Sequence, residues 1–306
     1  MTLSKKKIVF IIGPTASGKT SLSIEKAKKL VKDGSIAEIV SADSRQVYRD
    51  LDLSSGKVTN DEMENIPHHL LDVVDPGDYF SVVDYTDLAL KTVDDIFSRG
   101  NIPIICGGTG FYIDSLLYKY NLPETKKNDR LRIELEYKYT PELYNILFKK
   151  LLNIKNWKYF FKNLRTLEKF SNSEYKNNPH RLMRAIEIVD ELGYIPELKK
   201  EKRFPETEYD VEIISTNVDR QILREKIYKR LIERIDQGMV DEIKNVKEKY
   251  NLSWEYLEKL GLEFKWASKF LQNQISKEEM IEKLFLEICQ YAKRQDSWFR
   301  RYNDYR

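Results

Sequence analysis

An α/β fold, with a parallel sheet flanked by helices and a helical insertion domain, is what the sequence predicts, on three observations. Short apolar runs alternate with stretches of helical period over the first 120 residues. A glycine-rich turn ending in Gly18-Lys19-Thr20 stands between the first run and the first helical stretch. From residue 124 to about 205 the pattern becomes polar, lysine-rich and helical, and then one more apolar run follows. Alternating strand and helix builds a parallel sheet between two helical layers, and ligands of such sheets bind beyond the carboxyl ends of the strands.

The run at 8–12 reads as a strand buried on both faces, because it is apolar without alternation. Residues 19–31 follow with helical period through Leu22, Ala27 and Leu30. A second strand covers 37–40 and ends in Ser41-Ala42-Asp43. A third covers 69–74 and stops at Asp75-Pro76-Gly77. Residues 81–98 read as a helix, and a fourth strand at 102–106 closes in Gly107-Gly108-Thr109-Gly110. The 124–205 stretch contains no convincing strand. Residues 209–216 then return to the sheet, and helices follow at 219–237, stopped by Gly238, and at 240–250. Ser276 and Glu279 make a capping box for a last helix with an apolar stripe of Met280, Leu284, Ile288 and Tyr291. The expected division is a core of 1–123 with 206–306, and an insertion of 124–205.

Net charge is only +3, which neither indicates nor excludes nucleic acid. Its distribution says more: Arg294, Arg300, Arg301 and Arg306 crowd the C-terminal end, and lysines recur between 126 and 176. Many tyrosines would suit base stacking, although an ordinary solvated surface has the same composition. No apolar run approaches the roughly 20 residues of a membrane span. MTLSKKK lacks the apolar middle of a signal peptide, so a cytoplasmic location is expected. Cys106 and Cys289 are far apart in apolar contexts, which argues against a disulfide framework or a zinc site.

GPTASGKT (13–20) has the spacing of a P-loop. Gly13 and Gly18 let the loop wrap so that backbone N–H groups of Pro14-Thr15-Ala16-Ser17 and their neighbours can point inward, Pro14 itself having none. Lys19 supplies a point charge, the helix start adds its positive end, and Thr20 offers a hydroxyl to Mg²⁺. A nucleotide hydrolase adds an acid at another strand end. Asp43 in SADSRQVY is the obvious one and Asp72 the other candidate. The lesser alternative for Asp43 is the N-cap of a helix over 44–48. His68 and His69 lack a carboxylate or cysteine at metal spacing and read as structural or substrate-adjacent.

Taken in order, GPTASGKT (13–20), SADSRQVY (41–48), GKVT (56–59), PHHLLDVVDP (67–76), GGTGFY (107–112), NPHRLMRAIE (178–187) and AKRQDSWFR (292–300) resemble the tRNA dimethylallyltransferases, over residues 8–301. The resemblance implies transfer of a dimethylallyl group from its pyrophosphate to N6 of the adenosine 3′ of the anticodon, position 37. The cradle would then hold a prenyl diphosphate with Mg²⁺, and Thr15 and Arg230 would add contacts to it. It makes Asp43 the base that takes the N6 proton and Thr109 a contact to the same nucleotide. It assigns the anticodon stem-loop of tRNA to Asp43, Ser44, Arg45 and Gln46, to Arg130, to His180, Arg181, Leu182, Met183 and Arg184, and to Lys293, Arg294, Gln295, Trp298 and Arg300. Without it, the last group is a basic helix end and the 180–184 group a surface helix start after Pro179. A monomer without membrane contact is expected.

Three places depart from the family's common form. Gly261-Leu262-Glu263-Phe264 stands where many members have Gly-Tyr-Lys-Glu, and an acid there would repel phosphate. Ile288-Cys289 replaces a frequent Thr-Arg. The strand that usually follows Trp-Phe-Arg is expected to be missing. Two other enzyme classes share the cradle: a small-molecule kinase, which has no need of the insertion or the basic tail, and an adenylate isopentenyltransferase, which needs less surface for RNA. A nucleic-acid binder without catalysis would not require Gly18-Lys19-Thr20 beside Asp43 and Thr109.

Overall fold

Five segments pair into one sheet whose every pairing is parallel, in the spatial order 68–69, 37–41, 102–107, 6–12 and 209–215. The computed structural model describes residues 5–120, 125, 128–136, 138–152, 159–171, 178–197 and 199–305. In chain order the sheet strands are β1 (Lys6–Ile12), β2 (Ala37–Ser41), β3 (His68–His69), β4 (Ile102–Gly107) and, after the insertion, β7 (Tyr209–Ser215). Between them run α1 (Lys19–Lys32), the short α2 (Asn60–Met63), α3 (Val82–Ser98) and α4 (Gly110–Leu117). Strand β1 shows why both faces are covered. Ile8, Phe10 and Ile12 pack in one cluster with residues of α3 and α4, whereas Val9 and Ile11 pack with Ile24 and Ala27 of α1.

The third strand is much shorter than the 69–74 expected from the sequence. Leu70 and Asp72 have φ of +63° and +56°, which takes the chain out of the extended region after His69. The Val73 and Val74 N–H groups then bond to the Val47 carbonyl instead. Helix α3 starts where its capping box places it: Ser81 accepts from the Asp84 N–H, and the Asp84 carboxylate accepts from the Ser81 N–H.

The chain forms two units, residues 1–119 with 202–306, and residues 120–201, against sequence junctions at 123/124 and 205/206. Phe204 accounts for the earlier return. It is buried with Phe10 and Tyr209 in the core of the first unit. The second unit contains α5 (Asp129–Glu136), α6 (Thr140–Leu151), α7 (Phe160–Ser171) and α8 (Pro179–Leu192). These helices share a leucine-rich core of Leu135, Leu143, Leu147, Leu151, Leu167 and Leu182. Contrary to the strand-free reading, β5 (Tyr118–Tyr120) and β6 (Lys200–Lys202) pair as a separate two-stranded sheet.

After β7 come α9 (Arg220–Asp236), α10 (Met239–Lys249), α11 (Trp254–Leu260), α12 (Leu262–Leu271) and α13 (Lys277–Phe299). They pack in a second core through Leu231, Ile243, Phe264, Met280 and Leu284. The Ser276–Glu279 capping box is present. Arg300–Tyr305 is a 3₁₀ helix in place of a final strand, and Tyr302 is buried. Among the described residues no helix is long and apolar enough to cross a membrane.

Candidate functional site

The site lies at the carboxyl ends of β1, β2 and β4. Past β1, the chain turns through Gly13–Gly18 and enters α1 at Lys19. Gly18 is the N-cap, no side chain caps the helix, and its first turn has no acid. Its leading N–H groups are therefore available to an anion. Ala16 sits at φ +59°, a strained value for a residue with a Cβ. Ser17 Oγ and Thr216 Oγ1, 2.6 Å apart, tie the loop to the end of β7. Lys19 folds over the loop and donates to the Pro14 carbonyl at 2.7 Å. Burial lowers its pKa to about 8, against the opposing pull of Cys106 and Asp43. Thr20 is exposed.

Past β2, Asp43 is not a helix cap, since residues 44–47 form a turn and no helix starts there. Its Oδ1 accepts the Arg45 N–H at 2.9 Å, and among the described residues Oδ2 accepts no hydrogen bond. Thr109, past β4, fixes the next residue: its Oγ1 accepts the Ser44 N–H at 3.0 Å. The Thr109 N–H bonds the Ala42 carbonyl, so the two loops are joined through main chain as well. Gly107 permits this approach, because a Cβ there would collide with the Ala42 carbonyl. Stacked Tyr85 and Tyr112, with centroids 3.7 Å apart, stand beside this loop, and Tyr85 OH donates to the Ser41 carbonyl. Burial raises both phenols above their ordinary pKa.

Asp43, Lys19 and Arg230 act on one another electrostatically. The Asp43 charge raises the pKa of both cations, and Arg230 lowers that of Lys19. The three are thus within electrostatic reach of one another. Asp72, the alternative acid, is 2.5 Å from Lys57 Nζ and engaged there. His69 Nε2 lies 2.7 Å from buried Glu38, which Arg99 and Asn101 also hold, and His68 bonds the Ile66 carbonyl.

Several residues grouped as RNA contacts have other work. Gln295 is 6% exposed and bridges the two glycine loops, accepting the Thr15 N–H at 2.8 Å and donating to the Gly108 carbonyl at 2.8 Å. That also uses the Thr15 N–H that the cradle was expected to offer. Trp298 is no open stacking platform: its ring lies against Gly110, with the Arg301 guanidinium 4.2 Å from its centroid. Leu182 is fully buried and Met183 packs beside it in the helical core. Arg184 bonds Glu187 and Thr125. Gln46 binds the Ser41 hydroxyl and the Gly56 carbonyl, and Arg45 donates to the Leu260 carbonyl. Ser44, Arg130, Arg181, Lys293, Arg294 and Arg300 remain at least partly accessible, and Arg300 pairs with Asp296. The side chain of His180 and the whole of Arg306 lie outside the described residues.

Glu263, the acid that departs from the family's common segment, is largely buried. Its side chain is 13% exposed, 3.7 Å from Arg234. Burial pushes its pKa up to about 7, while Arg230 and Arg45 pull it down. Arg234, Gly56, Thr216 and the bridging role of Gln295 were missed from sequence, because each acts through a partner remote along the chain.

A cleft of about 860 Å³ opens on another flank of the cradle, lined by Pro14, Thr216, Arg220, Arg224, Lys293 and Arg300 among others. It includes none of Lys19, Asp43, Thr109 or Arg230. Among the described residues no three His, Cys, Asp or Glu side chains gather as a metal site. A cation at Thr20 would thus take most of its ligands from a bound phosphate and water, which suits Mg²⁺.

Residues 46–302 match the model of the IPP transferase family. The chain is 40% identical to tRNA dimethylallyltransferase 2 of Treponema denticola, over 97% of this chain and 92% of that protein. It is 36% identical to tRNA dimethylallyltransferase of Bacillus mycoides, over 97% and 88%. Among solved structures it resembles the tRNA isopentenylpyrophosphate transferase of Bacillus halodurans, with a TM-score of 0.66 and 31% identity, over 97% of this chain and 87% of that one. It also resembles a eukaryotic dimethylallyltransferase solved acting on tRNA, with a TM-score of 0.70 and 27% identity, over 96% and 70%.

Proposed function

The chain belongs to the IPP transferase family, as a tRNA dimethylallyltransferase, and from that premise we propose which groups carry the reaction. The donor is dimethylallyl diphosphate, and the acceptor is N6 of the adenosine at position 37, in the anticodon stem-loop. The observation that carries this reading is that the loop after β1 and the turn after β2 bring Lys19 and Asp43 within electrostatic reach of each other and of Arg230. Lys19 and Arg230 suit a diphosphate, and Asp43 offers a carboxylate.

The Gly13–Thr20 loop, the start of α1, Lys19 and Arg230 hold the diphosphate and stabilise the charge that grows on it as the C1–O bond breaks. Mg²⁺ at Thr20 would neutralise part of that charge. The exocyclic amine of adenine is a weak nucleophile, because its lone pair is delocalised into the ring. Asp43 accepts a hydrogen bond from N6–H, orients the amine toward C1, and takes the proton as the C–N bond forms. Thr109 keeps the Asp43 turn in place through Ser44 and offers its hydroxyl to the same nucleotide. The adenine must leave its stack to enter, which costs a few kcal/mol and less in a loop than in a duplex. Lys293, Arg294 and Arg300, exposed at the end of α13, supply positive charge for the RNA backbone.

Incubation with labelled dimethylallyl diphosphate and unmodified tRNA, beside AMP and ATP, tests this reading. Label enters tRNA only. Label in AMP would identify an adenylate isopentenyltransferase, and consumption of ATP without label transfer would identify a kinase.

A further inference from the structure

Two guanidinium groups of α9 converge on one glycine. A Cβ at Gly56 would overlap the Nη2 atoms of both Arg230 and Arg234, so only a glycine leaves room for the pair. The turn that presents Gly56 is held by Glu242, which accepts the N–H groups of Asp52, Leu53 and Ser54. Arg230 Nη2 reaches the Gly56 carbonyl at 3.4 Å. Arg234 Nη1 lies 3.7 Å from Glu263 Oε1, and its Nη2 is buried without a hydrogen-bond acceptor. Two like charges one helical turn apart repel, and more so where water is scarce. Glu263 is the carboxylate beside Arg234, Asp43 and Glu62 also act on Arg230, and Arg45 acts on Glu263. The cluster adjoins the cradle, because Arg230 is within electrostatic reach of Lys19.

We propose that Arg234 is a second guanidinium of the diphosphate subsite, beside Arg230, and that Glu263 is the counter-ion that holds it in place. This rests on the prenyl-diphosphate reading above. A diphosphate has more charge and more oxygens than one loop and one lysine can satisfy, and guanidinium forks match phosphoryl oxygens. Glu263 faces Arg230 and Arg234 of α9, Arg45 and Asp43 of the β2 loop, and Tyr291 of α13, besides the start of its own helix. Its pKa of about 7 means that it gains a proton as pH falls through neutrality. Protonation removes the carboxylate charge beside Arg234, which favours an anion.

The test is calorimetric titration of the full chain with inorganic pyrophosphate and Mg²⁺ between pH 6 and pH 8.5. Arg234→Met weakens binding at least tenfold, and Arg234→Lys recovers part of the loss. Glu263→Gln tightens binding about threefold or more at pH 8, and its advantage over the wild type vanishes by pH 6. Opposite signs from the two members of one ion pair distinguish a ligand subsite from a pair that merely braces the fold, which would weaken binding in both variants. Equal weakening in both overturns the proposal. So does an Arg234→Met affinity within twofold of wild type while Lys19→Ala is clearly impaired. Unchanged binding in Lys19→Ala as well would instead remove the diphosphate reading itself.

Discussion

The edge of the parallel sheet and helix α8 of the helical unit both carry sequence motifs that match the family, yet they use those residues in opposite ways. At the sheet edge the motif residues act on one another across loops: Lys19 and Asp43 are within electrostatic reach, and Thr109 braces the Asp43 turn. In NPHRLMRAIE most residues build the helix that bears them. Asn178 caps it by accepting the Arg181 N–H, Pro179 starts it, and Leu182 and Ile186 fill its core. Glu187, fully buried, receives Arg132 and Arg184. A motif therefore reports that residues matter together. Whether they touch a ligand or one another is decided by burial and partners.

The largest expected effect lies at the sheet edge. Asp43→Ala loses the proton acceptor, so turnover falls roughly 10²–10⁴-fold while tRNA affinity stays within about threefold. Parallel binding and rate measurements check this, and a near-normal rate removes Asp43 as the base. In the helical unit the corresponding acid is structural. Glu187→Ala leaves two guanidiniums without their buried partner and costs about 3–5 kcal/mol of that unit's stability. Hydrogen exchange over 120–201 reads this directly, and unaltered protection would break the contrast. The neighbouring Arg181→Ala, on the exposed side of the same helix, changes protection little and weakens tRNA binding modestly.

Lys19 gives a pH signature that α8 lacks. With its pKa lowered to about 8, the free enzyme carries the charge below pH 8 and loses it as pH rises through that value. Donor affinity accordingly declines above pH 8, and Lys19→Arg, which keeps its charge, moves the decline to higher pH. Donor binding across pH 7–9.5 in both proteins is the check. The smallest effects belong to the exposed cations of α13. Arg294→Ala and Arg300→Ala each lower the salt dependence of tRNA binding by roughly one unit of slope, with little change in turnover at saturating RNA. No change in slope would return them to an ordinary solvated helix end.

This contrast also explains what could be read in advance. The cradle, Asp43 and Thr109 were legible because each sits in a short contiguous stretch directly after a strand, where backbone geometry aims it. The capping boxes at Ser81 and Ser276 were legible for the same reason. The truncated β3 was not, because Leu70 and Asp72 adopt left-handed backbone without a glycine to signal it. Nor was the bridge from Gln295 to Thr15, which joins residues 280 positions apart. Nor was the pairing of Glu263 with Arg234, which lies on another helix 29 positions away in the chain.

The central claim is that the phosphate cradle and the Asp43 carboxylate act on one transition state. Single-turnover prenyl transfer in Lys19→Ala, Asp43→Ala and the double variant, with donor and tRNA both saturating, tests it most directly. Groups serving one transition state are strongly non-additive. The double variant should therefore slow the chemical step by far less than the product of the two single effects. A rate equal to that product would mean that the two groups act independently, and would contradict the account.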